Sequence, residues 1–122
     1  MRITYGKNVY GKAEIDSVVA QLKKSTQMGK SVSDFEKGIA KKFSKKYGLM
    51  VNSGSSALTL AMNVLNFSKG DEIIAPCLNF GTAISSIILC GAVPILVDVE
   101  IDTLQIDPEK IKKKITKKTK AI

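Results

Sequence analysis

Ser53, Gly54, Ser55 and Ser56 stand together in "VNSGSSALTLAMNVL", where a small polar turn runs straight into an apolar helix. A helix N-terminus offers unpaired N–H groups and a partial positive charge, serine hydroxyls add short donors, and glycine lets the backbone approach a ligand closely. That chemistry suits an anion, most simply a phosphate. A plain helix cap explains the same residues without any ligand, and neither G-x-G-x-x-G nor G-x-x-x-x-G-K-[ST] is present. A second stretch, "PCLNFGTA", brings Phe80, Gly81 and Thr82, and an aromatic plate beside a phosphate cradle suits a planar phosphorylated cofactor. Phe80 also reads as a core residue on position alone.

Other chemistries fall away. The chain has no His, which removes Ser-His-Asp and Cys-His devices. Cys77 and Cys90 sit among apolar neighbours with no C-x-x-C pairing, so both are expected buried and reduced rather than bridged or metal-bound. The net charge of +8 is concentrated in "KIKKKITKKTK", Lys110 to Lys120. A basic stripe is a nucleic-acid footprint. Here Ile111 and Ile115 lie four apart and define a buried face, stacking aromatics are absent nearby, and the lysines read as a solvated helix face. Nucleic acid is therefore not the expected partner. No apolar run reaches a membrane span, and "MRITYGKNVYGKAEIDSV" lacks an apolar signal region, so a cytoplasmic location is expected.

The elements that must position the turn follow from periodicity. Ile15, Val18, Val19 and Leu22 mark one amphipathic helix. Ser33 and Glu36 have capping-box spacing for a second, carrying Val32, Phe35, Ile39 and Phe43, with Gly48 as its stop. "LMV", Leu49 to Val51, reads as a short strand ending at the serine turn. Ala57, Leu58, Ala61, Met62 and Leu65 form the apolar stripe of a third helix. "IIAP" is a strand stopped by Pro76, and "GTAISSIILCGA" is a helix expected to be buried nearly all round. "VPILVDV" is a further strand. Asp107 as N-cap and Pro108 at the first helical position open another helix, and "TKAI" begins a last strand. Strands alternating with helices predict a largely parallel α/β sheet, with ligands beyond the carboxyl ends of its strands. Residues 1–30 read as an N-terminal helix and arm, and residues 31–122 as the start of the main domain. So short a sheet entering a strand at its last residues looks truncated.

Together these pieces resemble the DegT/DnrJ/EryC1/StrS family of pyridoxal-phosphate-dependent sugar aminotransferases and their dehydratase relatives. The likeness covers about residues 29–122. It runs through "SVSDFEKGIAKKF", Asn52–Leu58 (N-S-G-[TS]-x-A-L), Gly70–Ile74 (G-D-E-[VI]-I), and Pro76 with Phe80. It continues through Gly91–Val99 (G-A-x-P-x-[FL]-V-D-V), Ile106–Glu109 (I-D-P-E) and Thr119–Ile122 (T-K-A-I). The combination is specific, although each piece alone is not.

The resemblance implies the N-terminal part of an aspartate-aminotransferase-like, fold type I large domain, a mainly parallel sheet flanked by helices. It implies pyridoxal 5'-phosphate as cofactor, with Gly54, Ser55 and Ser56 in the phosphate-binding turn and Phe80 stacked on the pyridine ring. Asp98 falls in the V-D-V motif and reads as structural at a strand end. Gly29 and its neighbours match a segment near the family's active-site mouth and dimer interface. The implied activity is amino transfer, from an amino acid such as glutamate to a nucleotide-linked keto sugar for polysaccharide or glycan synthesis, in a homodimer. The family's Schiff-base lysine and its pyridine-nitrogen aspartate, the latter in E-D-x-A, fall past Ile122. Lys120 belongs to T-K-A-I and is not that lysine, so these 122 residues alone are expected to be inactive. Two other readings stay open: the branch that dehydrates 4-keto-6-deoxy sugars, with histidine for the lysine, and a non-catalytic phosphate- or nucleotide-binding module.

Overall fold

The structure, a computed structural model, describes residues 6–27 and 29–122. Residues 1–5 of the expected N-terminal arm and Met28 lie outside the described residues. The chain forms two compact units that divide between Met50 and Val51.

The first unit is built from α1 (Lys12–Lys24) and α2 (Lys30–Lys42). The Glu14 carboxylate accepts from the Gly11 N–H at 2.7 Å and closes the start of α1. The capping box expected at Ser33 does not open α2. The helix begins at Lys30 with Gly29 as N-cap, so the Ser33 N–H already bonds the Gly29 carbonyl at 3.1 Å and needs no cap. Glu36 is used elsewhere: its carboxylate accepts from the Met50 N–H at 2.8 Å.

Nor is Gly48 the stop of α2. The helix ends six residues earlier, where Ser44 takes a left-handed φ of 53° and Lys45 N–H reaches back to the Ala40 carbonyl at 2.8 Å, a Schellman closure. Gly48 answers to a different need, because a Cβ there would sit 2.6 Å from the Glu36 carbonyl oxygen. Leu49–Val51 forms no strand, which corrects the reading of "LMV". Leu49 and Met50 are exposed, and the Met50 N–H is spent on a side chain rather than on a ladder.

The second unit is α/β. Its elements are α3 (Gly54–Leu65), β1 (Glu72–Pro76), α4 (Gly81–Leu89), β2 (Val93–Val97), α5 (Pro108–Lys114) and β3 (Thr119–Ala121). The sheet is parallel with order β2-β1-β3, so "IIAP" is central, "VPILV" flanks it, and "TKA" pairs on its other edge. Register runs from Glu72↔Val93 to Pro76↔Val97. Ile73 and Ile74 point to opposite faces of β1, and each is only 2% exposed, as expected when a parallel strand is covered on both sides. The core joins Ile73, Ala75, Ile87 and Ala92, with Met62, Phe67 and Ile84 packed against it.

Asp107 caps α5 as its sequence requires, accepting from the N–H groups of Glu109 (2.9 Å) and Lys110 (3.2 Å), with Pro108 following. Ile115 does not share a buried face with Ile111. The helix has ended by then, Ile115 is extended, and its side chain is exposed. α4 is buried on one side only: Ser86 and Ile87 face inward, while Ile88 and Leu89 are exposed. It stops where Gly91 takes φ 84°. Both cysteines are free, and Cys77 is exposed rather than buried because it lies just past the end of β1, at the sheet's rim.

Candidate functional site

The serine turn closes on itself. Ser53, extended at φ −161°, caps α3 by accepting the Ser56 N–H at 3.1 Å. The Ser56 hydroxyl donates to Asn52 Oδ1 at 2.6 Å and lies 3.0 Å from Ser53 Oγ. A hydroxyl has one proton, so Ser53 must be the donor in that last contact. Ser55 is different: its hydroxyl leaves the cap and points across to Thr82 Oγ1, 3.4 Å away. The N–H groups of Gly54 and Ser55 have no acceptor among the described residues.

The β1–α4 loop supplies the other half. Phe80 is the N-cap of α4, and its N–H bonds Asn79 Oδ1 at 2.7 Å. The N–H groups of Gly81 and Thr82 have no acceptor among the described residues. Two helix N-termini, each with two free donors and a partial positive charge, therefore meet where Ser55 touches Thr82. A Cβ built on Gly54 or Gly81 meets no atom within 4 Å, so the space before both turns is open. Phe80 is 74% exposed, which leaves its ring free to take a flat partner. A groove of about 470 Å³ continues between α3 and α4, lined by Ser55, Thr59, Asn63, Thr82 and Ser85.

The residues named from sequence thus divide cleanly. Gly54, Ser55 and Ser56 form one turn, Phe80 opens the neighbouring helix, and the Ser55–Thr82 contact joins the two segments. Gly29 caps α2 in the first unit. Sequence reasoning missed Asn52 as the partner of Ser56, and Thr59 with Ser86, whose hydroxyls lie 3.4 Å apart. The available signal was spacing: Thr59 and Ser86 are polar residues four positions on from Ser55 and Thr82, on the same face of each helix.

Asp98 sits just past β2. Its Oδ1 accepts from the Val99 N–H (2.9 Å) and the Cys77 thiol (3.3 Å), while Lys110 Nζ lies 3.4 Å from Oδ2. The Val99 N–H, then the thiol, then the lysine charge hold its carboxyl below the usual aspartate value. The Cys77 N–H also bonds the Val97 carbonyl at 2.9 Å, so this cluster clips the ends of β1 and β2 together.

Among the described residues no cluster of His, Cys, Asp or Glu could hold a metal, and no helix is long and apolar enough to cross a membrane.

The chain is similar to several known proteins. The chain is 42% identical over 95 residues to a dTDP-3-amino-3,6-dideoxy-alpha-D-galactopyranose transaminase of Aneurinibacillus thermoaerophilus, covering 78% of this chain and 26% of that protein. It is also 42% identical over 101 residues to a GDP-4-keto-6-deoxy-D-mannose 3-dehydratase of Yersinia pseudotuberculosis, again 78% of this chain and 26% of the relative. The Escherichia coli GDP-4-keto-6-deoxy-D-mannose-3-dehydratase, solved with bound hydrated PLP, superposes with a TM-score of 0.88 at 34% identity, over 95% of this chain and 32% of that one. The chain thus spans about a quarter to a third of the length of these relatives. The fold shared with that solved structure is a mainly parallel sheet flanked by helices. The model of one family matches residues 9–122, and the chain belongs to that family, the DegT/DnrJ/EryC1/StrS aminotransferases.

Proposed function

We propose that these residues form the N-terminal part of a pyridoxal-phosphate-dependent aminotransferase acting on a nucleotide-linked keto sugar. The observation that carries it is the meeting of the Ser55 and Thr82 hydroxyls, which brings a donor-rich turn beside the helix that starts at an exposed Phe80. Gly54 and Ser55 would hold the cofactor phosphate through free N–H groups, and the Ser55 hydroxyl would turn to it from its long 3.4 Å contact with Thr82 Oγ1. Ser56 would keep the turn closed through Asn52, its own proton being committed there. Phe80 would stack on the ring. The donor set fits a phosphate ester, since it offers hydrogen-bond donors and two helix N-termini. When bound, the cofactor supplies the electron sink that amino transfer needs.

The amino donor in this reading is an amino acid such as glutamate, the acceptor a GDP- or dTDP-linked 6-deoxy sugar with its keto group at C3 or C4, and the assembly a homodimer in the cytoplasm. The relatives' names support the sugar class: one is a dTDP-sugar transaminase and another a GDP-sugar dehydratase. Equal identity to those two keeps the 3-dehydratase branch as a second reading. The test is to incubate the full-length protein with glutamate and such a keto sugar. Amino-sugar product supports the transaminase. Loss of the 3-hydroxyl without nitrogen gain selects the dehydratase, and no turnover of either kind rejects both.

A further inference from the structure

α3 and α4 are joined by two hydroxyl rungs, not one. Ser55 Oγ faces Thr82 Oγ1 at 3.4 Å, and one helical turn further on Thr59 Oγ1 faces Ser86 Oγ at 3.4 Å. Four residues separate the rungs on each helix, so they stack along facing stripes. Both are longer than the usual O–H···O contact of about 2.8 Å, so each is weaker than a short hydroxyl bond, and what they share is the same register on both helices.

The lower rung is the more informative. Ser86 is 1% exposed, a buried polar side chain on a helix whose next residue, Ile87, belongs to the apolar core. A buried hydroxyl is unfavourable unless it is bonded, and the side-chain partner of this one is Thr59. The Thr59 proton goes to the Ser55 carbonyl at 3.1 Å, so Ser86 must donate to Thr59. A single chain of hydrogen bonds therefore runs from the buried middle of α4 to the backbone of the serine turn. Phe80 caps α4, so any slip of α4 against α3 moves Phe80 against Ser55.

We propose that Thr59 and Ser86 are positioning residues that set the spacing between the phosphate-holding turn and the ring-stacking Phe80. This rests on the cofactor reading above. A ligand that must reach both features feels the spacing, whereas one that reaches only the turn does not.

The test uses the full-length protein and two probes. Pyridoxamine 5'-phosphate carries both ring and phosphate, and inorganic phosphate, measured by competition, reaches only the turn. Ser86→Ala and Thr59→Val should each raise the pyridoxamine phosphate Kd by about threefold to tenfold, the scale of one net hydrogen bond. Inorganic phosphate affinity should stay within about twofold, and Thr59→Ser should behave like the unsubstituted protein. An equal loss for both probes, or a lowered melting temperature with unchanged Kd, would show a packing role and overturn the proposal. If Ser86→Ala does not fold, the half-buried Thr59→Val carries the test. Ser55→Ala separates the two levels. If it weakens both probes while Ser86→Ala and Thr59→Val do not, only the positioning role fails. If Ser55→Ala leaves both probes unaffected, the phosphate reading fails, and this inference with it.

Discussion

The Ser56 hydroxyl donates to Asn52 Oδ1 at 2.6 Å, across the entrance of α3. One residue earlier, Ser55 leaves that cap and faces Thr82. Adjacent serines of the same type therefore have opposite duties. Ser56→Ala should cost roughly 0.5–1.5 kcal/mol of stability, the net worth of a hydrogen bond, and change cofactor affinity little. Ser55→Ala should do the reverse. One lost charge-assisted bond is worth about 1.5–3 kcal/mol, so the cofactor Kd should rise about tenfold or more. Melting curves of the cofactor-free protein and cofactor titrations of both variants decide it, and an unchanged Kd for Ser55→Ala would leave the serines as caps only.

Gly54 offers a sharper version of the same contrast. It lies in the first turn of α3, and an added Cβ meets nothing within 4 Å. Gly54→Ala should therefore stabilise the protein by about 0.4–1 kcal/mol, because alanine loses less backbone entropy on folding. The same methyl narrows the approach of an anion to the free N–H groups, so cofactor affinity should fall. A gain in both stability and affinity would mean that nothing binds in front of this turn.

Phe80 is too exposed to be a core residue of this unit. Phe80→Trp and Phe80→Tyr should keep cofactor affinity and leave the melting temperature almost unchanged. Phe80→Leu should lose about 0.5–1.5 kcal/mol of binding, a change of about two- to tenfold in Kd. Unchanged affinity in Phe80→Leu would end the stacking role.

The Asp98 carboxyl titrates below its ordinary value in the folded protein. A depressed folded-state value adds stability that is present above the unfolded-state value and is lost as pH falls through the folded one. The effect is confined to acid, and it is small because the group is solvent-exposed. Melting temperatures followed from neutral pH to about pH 2.5 should fall less steeply in Asp98→Asn than in the unsubstituted protein. Parallel curves would show that the contacts with Val99, Cys77 and Lys110 carry no net preference for the charged form.

Local chemistry was the most legible part of the sequence. Asp107 followed by Pro108 opened a helix, Pro76 closed a strand, and Ser53 to Ser56 formed a turn, because each depends on groups within four residues. What failed depended on partners far along the chain. "LMV" has the composition of a strand, but a strand exists only where a ladder accepts it, and the Met50 N–H had a nearer acceptor in Glu36. Ser33 and Glu36 have capping spacing, but a turn upstream had already supplied the acceptor that Ser33 needed. The exposure of Cys77 and Leu89 could not be read from their apolar neighbours in sequence, because burial is decided by neighbours in space. At the site, the turn and the aromatic were visible separately, and only the fold placed Ser55 against Thr82.

β1 lies between β2 and β3, and its two pairings ask very different things of the folding chain. Pairing Glu72 with Val93 closes a loop spanned by one helix, whereas pairing it with Thr119 closes a loop more than twice as long, and that ladder is irregular. Loop-closure entropy favours the shorter span, so the β1–α4–β2 unit is the expected nucleus and β3 the late arrival. Substitutions at Ile73 or Ile87 should then slow folding, while those at Ala121 should mainly speed unfolding. The segment that nucleates the chain is also the one that carries Phe80 and Thr82, so the rim of the candidate site would take shape with the earliest native structure.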